Sequence, residues 1–455
     1  MKRQQMPVSR ARLLAYGTLA FPLATIGLPL SIYLAPFYAG EIGLPLAALG
    51  TAMIVARLID VVVDPAIGAL SDRWRPQIFG YSVGRRKIWL PIGIAVMLVG
   101  VWKLFNPVPP VGIGYFLGWV TVVYLGFTAT KLPYEAWGAE LADDYAGRTR
   151  IASIRQFFTL AGLVVATVIP AYILSQPGAT AADVLRGLGG AMLILLPLAG
   201  LLIFVAVPDP NAGGEAHGGW RTGLRQLARN GPFKRIGLAL FLGYIAETFR
   251  ITITLFFARD VIGVPNIGII YVWYFITGLV AVPFWLWVAG RIGKHRGLAL
   301  AFGVVIATNT AIFFLPPGAV TAFTLLFVAK GFCFGALELL PAAMIADTAD
   351  VDTAMSRARR QGLFFAVIGI AIKLGQAFGQ GLSLNLLGLV GYQAAGGNDA
   401  TTLDSLRMLY CLAPTLLLVP ALWLAWGYPL TASRHAALRA GLDRRTARPG
   451  RAPPP

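Results

Sequence analysis

The chain has 455 residues, of which 57% are hydrophobic and 13% charged, and its formal net charge is +18. Soluble domains carry about a quarter of their residues as charged types, so a water-soluble enzyme is excluded. Three histidines and two cysteines are too few for a zinc-ribbon protein or a disulfide scaffold. The composition is that of a polytopic membrane protein.

Windows of ~20 apolar residues, the length that crosses a bilayer, fall at 13–37, 44–70, 88–106, 111–136, 153–175, 184–207, 235–258, 266–290, 297–316, 319–345, 361–391 and 406–427. The first follows Lys2, Arg3, Arg10 and Arg12. It is too long for a cleaved signal and reads as a retained anchor helix. Basic residues then alternate between loops. Arg73, Arg75, Arg85, Arg86 and Lys87 follow the second window, and Arg148, Arg150 and Arg155 the fourth. Arg221, Arg225, Arg229, Lys234 and Arg235 follow the sixth, Arg291, Lys294 and Arg296 the eighth, and Arg357, Arg359 and Arg360 the tenth. The intervening loops hold Arg186, Arg259 and Arg407. By the positive-inside rule this predicts an all-α membrane protein of twelve transmembrane helices with both termini cytoplasmic. It also explains the net charge without nucleic acid, because no basic module is interleaved with aromatics.

Residues 208–234 form the longest polar interruption. They predict a linker between an N-terminal six-helix bundle (1–207) and a C-terminal one (235–427). The basic tail, 428–455, is expected to be disordered beside anionic lipid head groups. A weak echo, GALSDRWR at 68–75 and AGRIGKHR at 289–296, accords with two repeated halves.

Ionisable side chains at membrane depth are costly and mark pathways. Arg57, Asp60 and Asp64 recur at i, i+3 and i+7 on one helical face of the second window. Two carboxylates one turn apart can chelate a small cation or share a proton. The alternative is an internal salt bridge to Arg57 that serves packing alone. Pro65, directly after the pair, frees a backbone carbonyl one turn earlier. Thr128, Lys131 and Glu135 share a face of the fourth window, with Pro133 between them distorting the helix. Glu247 and Arg250 read as a self-neutralised pair, Lys330 has Glu338 two turns away, and Lys373 is isolated. A lone buried lysine needs an anion from another helix, the substrate, or loss of its proton. Cys333 and Cys411 read as packing. All three histidines fall in cytoplasmic segments, which excludes a histidine proton relay.

The segments ARLIDVVVDPAIGALSDRW with GRRKIWLPIG, LPYEAWGAELADDYAGRTRIASIRQFF, and IADTADVDTAMSRARRQGLFFAVIGIAIKLGQAFG together resemble the glycoside–pentoside–hexuronide:cation symporters. These are the melibiose-carrier branch of the major facilitator superfamily. The resemblance implies two six-helix bundles and alternating access around a central cavity. It assigns Asp60 and Asp64 to the cation-binding pair, Thr128 to a hydroxyl ligand and Lys373 to the lysine near that site. Arg155 matches the arginine opening helix five. Gly68, Asp72, Arg73, Gly84, Arg85 and Arg86 resemble the cytoplasmic gate, with Asp347, Asp350 and Arg360 as partners on the facing half. Where melibiose carriers hold galactoside hydroxyls with acids in helices one and four, this chain has Ala24 and Lys131. Val63 replaces an amide ligand of the cation, and Glu135 and Glu338 replace aromatic residues of the sugar site. These departures argue against galactosides and sodium and favour proton coupling.

The leading reading is a cell-membrane symporter of a sugar, glycoside, uronate or related small solute, coupled to a proton or sodium ion. It needs no cofactor and acts as a monomer with lipid and small-molecule partners. Lys131, Glu135, Arg155 and Glu338 line its cavity. Two roles for Lys131 stay open, counterion to the aspartates, which is favoured, or ligand of an anionic substrate. Export, or transport of a lysolipid or other amphiphile, is the second functional reading. A membrane enzyme or sensor is the third, disfavoured because no P-loop, metal-ligand cluster or soluble signalling domain is present.

Overall fold

The structure, a computed structural model, describes residues 9–74, 77–78, 81–82, 84–142, 145–208, 227–356 and 361–430. Most of the expected linker and tail, Arg360 and the side chain of Asp350 lie outside the described residues.

The apolar windows fold into long helices: α1 (Arg10–Ile32), α2 (Leu46–Arg73), α3 (Trp89–Phe105), α4 (Ile113–Glu140), α5 (Tyr145–Ile173) and α6 (Ala181–Ala206). There follow α7 (Gly231–Ile262), α8 (Ile267–Val280 and Val282–Ile292, bent by 45°), α9 (Lys294–Phe313), α10 (Val320–Thr348), α11 (Gln361–Leu389) and α12 (Ala400–Trp426). Ten are long and apolar enough to cross a membrane alone, and the bent α8 makes an eleventh. At 17 residues α3 is shorter. It rises about 26 Å, close to the hydrocarbon thickness of about 30 Å. Between α2 and α3, which the sequence reads as a plain loop, β1 (Gln77–Ile78) pairs antiparallel with β2 (Tyr81–Ser82).

Local chemistry sets the helix ends. The Asn230 carboxamide oxygen accepts from Phe233 N at 3.0 Å to open α7, and Asn266 accepts from Gly268 N at 3.0 Å to open α8. Gly263, at φ 82°, ends α7 in the left-handed region that disfavours a side chain. Pro65 and Pro133 lie inside α2 and α4 without ending them.

Packing within the first six helices recurs in the second six. The contacts α1·α5, α1·α6, α2·α4 and α3·α6 are matched by α7·α11, α7·α12, α8·α10 and α9·α12. The two sets meet through α1·α7, α2·α11 and α5·α8. Several of the joining contacts lie at the face away from the basic loops. Asn266 Nδ2 donates to Ala171 O at 2.9 Å, Gln380 Nε2 to Ser31 Oγ at 3.3 Å, and Thr51 Oγ1 to Asn385 Oδ1 at 3.2 Å. Backbones touch in the same seam. A Cβ on Gly50 would stand 2.6 Å from Gly381 O and 2.7 Å from Asn385 Nδ2.

That spacing leaves no room for a side chain. Gly50→Val is therefore expected to part α2 from α11, at a cost of about 1–3 kcal/mol for overpacking. The measurement is thermal unfolding in detergent together with thiol labelling of a Ser31→Cys probe. A wild-type melting temperature with unchanged labelling would remove the seam from this account.

Candidate functional site

The aspartates of α2 meet a lysine delivered by α11. Lys373 Nζ donates to Asp60 Oδ2 at 2.9 Å, to Asp64 Oδ1 and Oδ2 at 2.8 and 2.6 Å, and lies 3.3 Å from Thr128 Oγ1. Thr128, on α4, donates its hydroxyl to Asp60 Oδ1 at 2.7 Å. Arg57 Nη1 reaches Asp60 Oδ2 at 3.3 Å, and its guanidinium stacks over the Tyr124 ring at 3.8 Å from the centroid. The side chains of Asp60, Asp64 and Lys373 are 2%, 15% and 22% exposed. Two carboxylates and two cations thus compensate one another where solvent is scarce. Breaking such a pair from one side leaves an uncompensated charge, a loss of about 3–5 kcal/mol.

The helical geometry explains the arrangement. Asp60 and Asp64 stand one turn apart on α2, so one ammonium with three donors reaches both. Thr128 projects from α4 toward that point. Lys131, one turn on, does not. It is exposed, with Nζ 5.6 Å from the Phe127 ring centroid, and it lies within electrostatic reach of Glu338 on α10. The counterion position that the sequence favours for Lys131 is held by Lys373 instead. Arg57 serves Asp60 as the packing alternative anticipates, and the same carboxylate also binds Lys373.

Other expected cavity residues pair as follows. Arg155 Nη1 lies 3.5 Å from Glu135 Oε1, both partly exposed. Tyr244 on α7 donates to Glu338 Oε1 at 3.5 Å. Lys330 pairs not with Glu338 but with Asn309 Oδ1, at 2.5 Å. Two turns along α10 separate Lys330 from Glu338, and the rotation turns Lys330 into the packing with α9. Glu247 and Arg250 form the expected pair, at 2.5 Å. Cys333 and Cys411 are buried free thiols.

Among the described residues, the gate side chains form the following pairs within their own half, while Arg360 and the side chain of Asp350, two of the expected partners across the halves, lie outside them. Arg86 Nη2 lies 2.6 Å from Asp72 Oδ1 and 2.7 Å from Glu140 Oε1, and Arg86 Nη1 donates to Ser71 Oγ at 2.9 Å. Arg85 Nη2 donates to the same Glu140 oxygen at 2.8 Å. Burial opposes the Arg86 charge, but Glu140 and then Asp72 more than offset it and hold its pKa above the ordinary value. Asp347 is bound by Lys294 Nζ at 2.7 and 3.0 Å, again within one half. Gly68 supports this corner by accepting from Ser71 Oγ at 2.9 Å, Gly84 O accepts from Ile88 N at 3.3 Å, and Arg73 is exposed at the end of α2. Sequence reasoning missed Glu140. Its signal was a carboxylate five residues past Glu135, in the segment that carries the family resemblance. Tyr124 carries no sequence signal beyond lying one turn before Thr128.

Glu140 collects both arginines and is 19% exposed, whereas Asp72 is 55% exposed. Glu140→Gln is expected to cost about 2–4 kcal/mol and Asp72→Asn less than about 1 kcal/mol, read as shifts in melting temperature. Equal shifts would count against this ordering.

Residues 15–432 match the family model described as MFS/sugar transport protein. The chain is similar to the isoprimeverose transporter of Lactiplantibacillus pentosus, at 23% identity over 84% of this chain and 81% of the relative. It is also similar to the inner membrane symporter YicJ of Escherichia coli (strain K12), at 24% identity over 85% and 84%. A bacterial homolog to the human lysosomal transporter Spinster, in its inward-facing and unoccupied conformation, shares the fold. Its TM-score is 0.66 at 14% identity, over 96% of this chain and 98% of that one. On these matches, the chain belongs to the MFS/sugar transport protein family.

Proposed function

We propose that this multi-pass protein of the cell membrane is a secondary active transporter, a cation-coupled symporter of a sugar or glycoside working by alternating access. Its relatives are named as a transporter and a symporter, and the fold is that of a two-bundle carrier. The observation that carries the reading is the ammonium of Lys373, delivered by the second half into the Asp60, Asp64 and Thr128 site of the first. A tethered cation there competes with a mobile one. Protonating or metallating the aspartates releases Lys373, and with it the tie between halves, so ion binding and access become linked. With Val63 offering no side-chain oxygen, the proton is the coupling ion that the site suits. The seam at the face away from the basic loops supports a state sealed on the outer side, with the basic loops at the cytoplasmic head groups and the carrier acting as a monomer.

In proteoliposomes with an imposed proton gradient, Asp64→Asn is expected to reduce solute accumulation to the level of simple equilibration while exchange continues. Accumulation equal to wild type in both the Asp60→Asn and Asp64→Asn variants would overturn the reading.

Lys373→Gln gives a separate expectation. Removing the internal cation leaves two carboxylates and a hydroxyl around an uncompensated position. Oxygen ligands of that kind suit a small hard cation. Transport by this variant should gain stimulation by sodium or lithium, measured as initial uptake against salt with choline as the control.

A further inference from the structure

Away from the aspartates, the second half places an unusual concentration of charge beside the space between the halves. Arg250 and Lys330 are each 1% exposed. Both stand behind Glu247, whose side chain is 28% exposed. Arg250 grips the Glu247 carboxylate with two nitrogens, Nη2 at 2.5 Å and Nε at 3.3 Å, and the Tyr274 hydroxyl donates to it at 3.4 Å. One turn earlier on α7, Tyr244 donates to Glu338 of α10. Glu338 is exposed, and within electrostatic reach of it stands Lys131 from the first half. Its exposure is therefore to the space between the halves, since a carboxylate facing lipid is costly.

Burying two cations behind one carboxylate is expensive. What the cost secures is a carboxylate fixed in plane and position at the cavity wall. Carboxylates accept from hydroxyl groups, and here each is held by its own tyrosine, Glu247 by Tyr274 and Glu338 by Tyr244. The exposed cations are already opposed, Lys131 by Glu338 and Arg155 by Glu135. That leaves little for an anionic ligand. We propose that Glu247, Tyr244 and Glu338 form a hydroxyl-binding subsite in the second half, which holds the polyol edge of an uncharged glycoside and disfavours the corresponding uronate. Glu247 and Glu338 touch the ligand, while Arg250 and Lys330 are positioning residues. The inference rests on the symport reading for its setting.

The test is direct binding to the purified full-length protein of methyl β-D-glucoside, methyl β-D-xyloside and methyl β-D-glucuronide, the last differing from the first only at C6. Wild type is expected to bind a neutral member more tightly than the glucuronide. Glu247→Gln and Glu338→Gln should each weaken neutral binding about 10- to 100-fold, as expected for losing a charge-assisted hydrogen bond, without weakening glucuronide binding. Tyr244→Phe keeps both carboxylates and should weaken neutral binding several-fold, so the subsite stays testable if a Gln variant fails to fold. A wild type that prefers the glucuronide or binds no neutral glycoside overturns the proposal, as does unchanged binding in all folded variants. Gradient-driven uptake is read separately after reconstitution. If it is absent while the binding pattern holds, symport fails and the subsite stands. If uptake is coupled but binding is insensitive to the variants, the subsite fails alone.

Discussion

The rest of the structure depends on one electrostatic constraint, that the Lys373 ammonium and the Asp60 and Asp64 carboxylates compensate one another across the two halves. In a medium of low polarity neither partner is tolerable alone. Helices α2 and α11 are therefore tied by this ion pair. The same requirement fixes the supporting cast. Arg57 shares Asp60 Oδ2 with Lys373, Tyr124 holds Arg57, and the Thr128 hydroxyl donates to the remaining oxygen, Oδ1.

Much of this was legible in the sequence, and the rest was illegible for specific reasons. Membrane windows and loop charges are local signals, and they place most helix ends to within about five residues, although α5 and α12 begin eight and six residues before their windows. The α2 aspartates share a face because spacing alone dictates it. The partner of Lys373 was not readable from spacing, because it lies more than three hundred positions away on another helix. The mistaken preference for Lys131 has a simple cause. Depth along α4 is nearly the same for Thr128 and Lys131, yet one turn is 3.6 residues, so a step of three falls short by about 60°. Thr128 points at Asp60, while Lys131 points toward the second half. The same arithmetic separates Lys330 from Glu338.

The gate segments show a similar limit. Sequence identifies clustered charges but not their choice of partner. Among the described residues Asp72 pairs with Arg86 and Asp347 with Lys294, each within its own half. Lys294 falls in the very segment whose sequence echoes the loop after α2.

Two features of α2 and α11 lie close enough to act on one another. Gly50 of the seam is ten residues from Asp60, and Gly381 is eight from Lys373, so the two levels are roughly 12–15 Å apart along nearly rigid helices. The seam permits backbone contact only in close registry, because a single Cβ would collide with Gly381 O. Packed contacts of this kind are bistable rather than continuously deformable. A rocking motion that parts the seam must also displace Lys373 relative to Asp60 and Asp64, and a change in that ion pair must bias the seam. The charge site and the seal are two readouts of one helix pair, which is the physical requirement for linking ion binding to access.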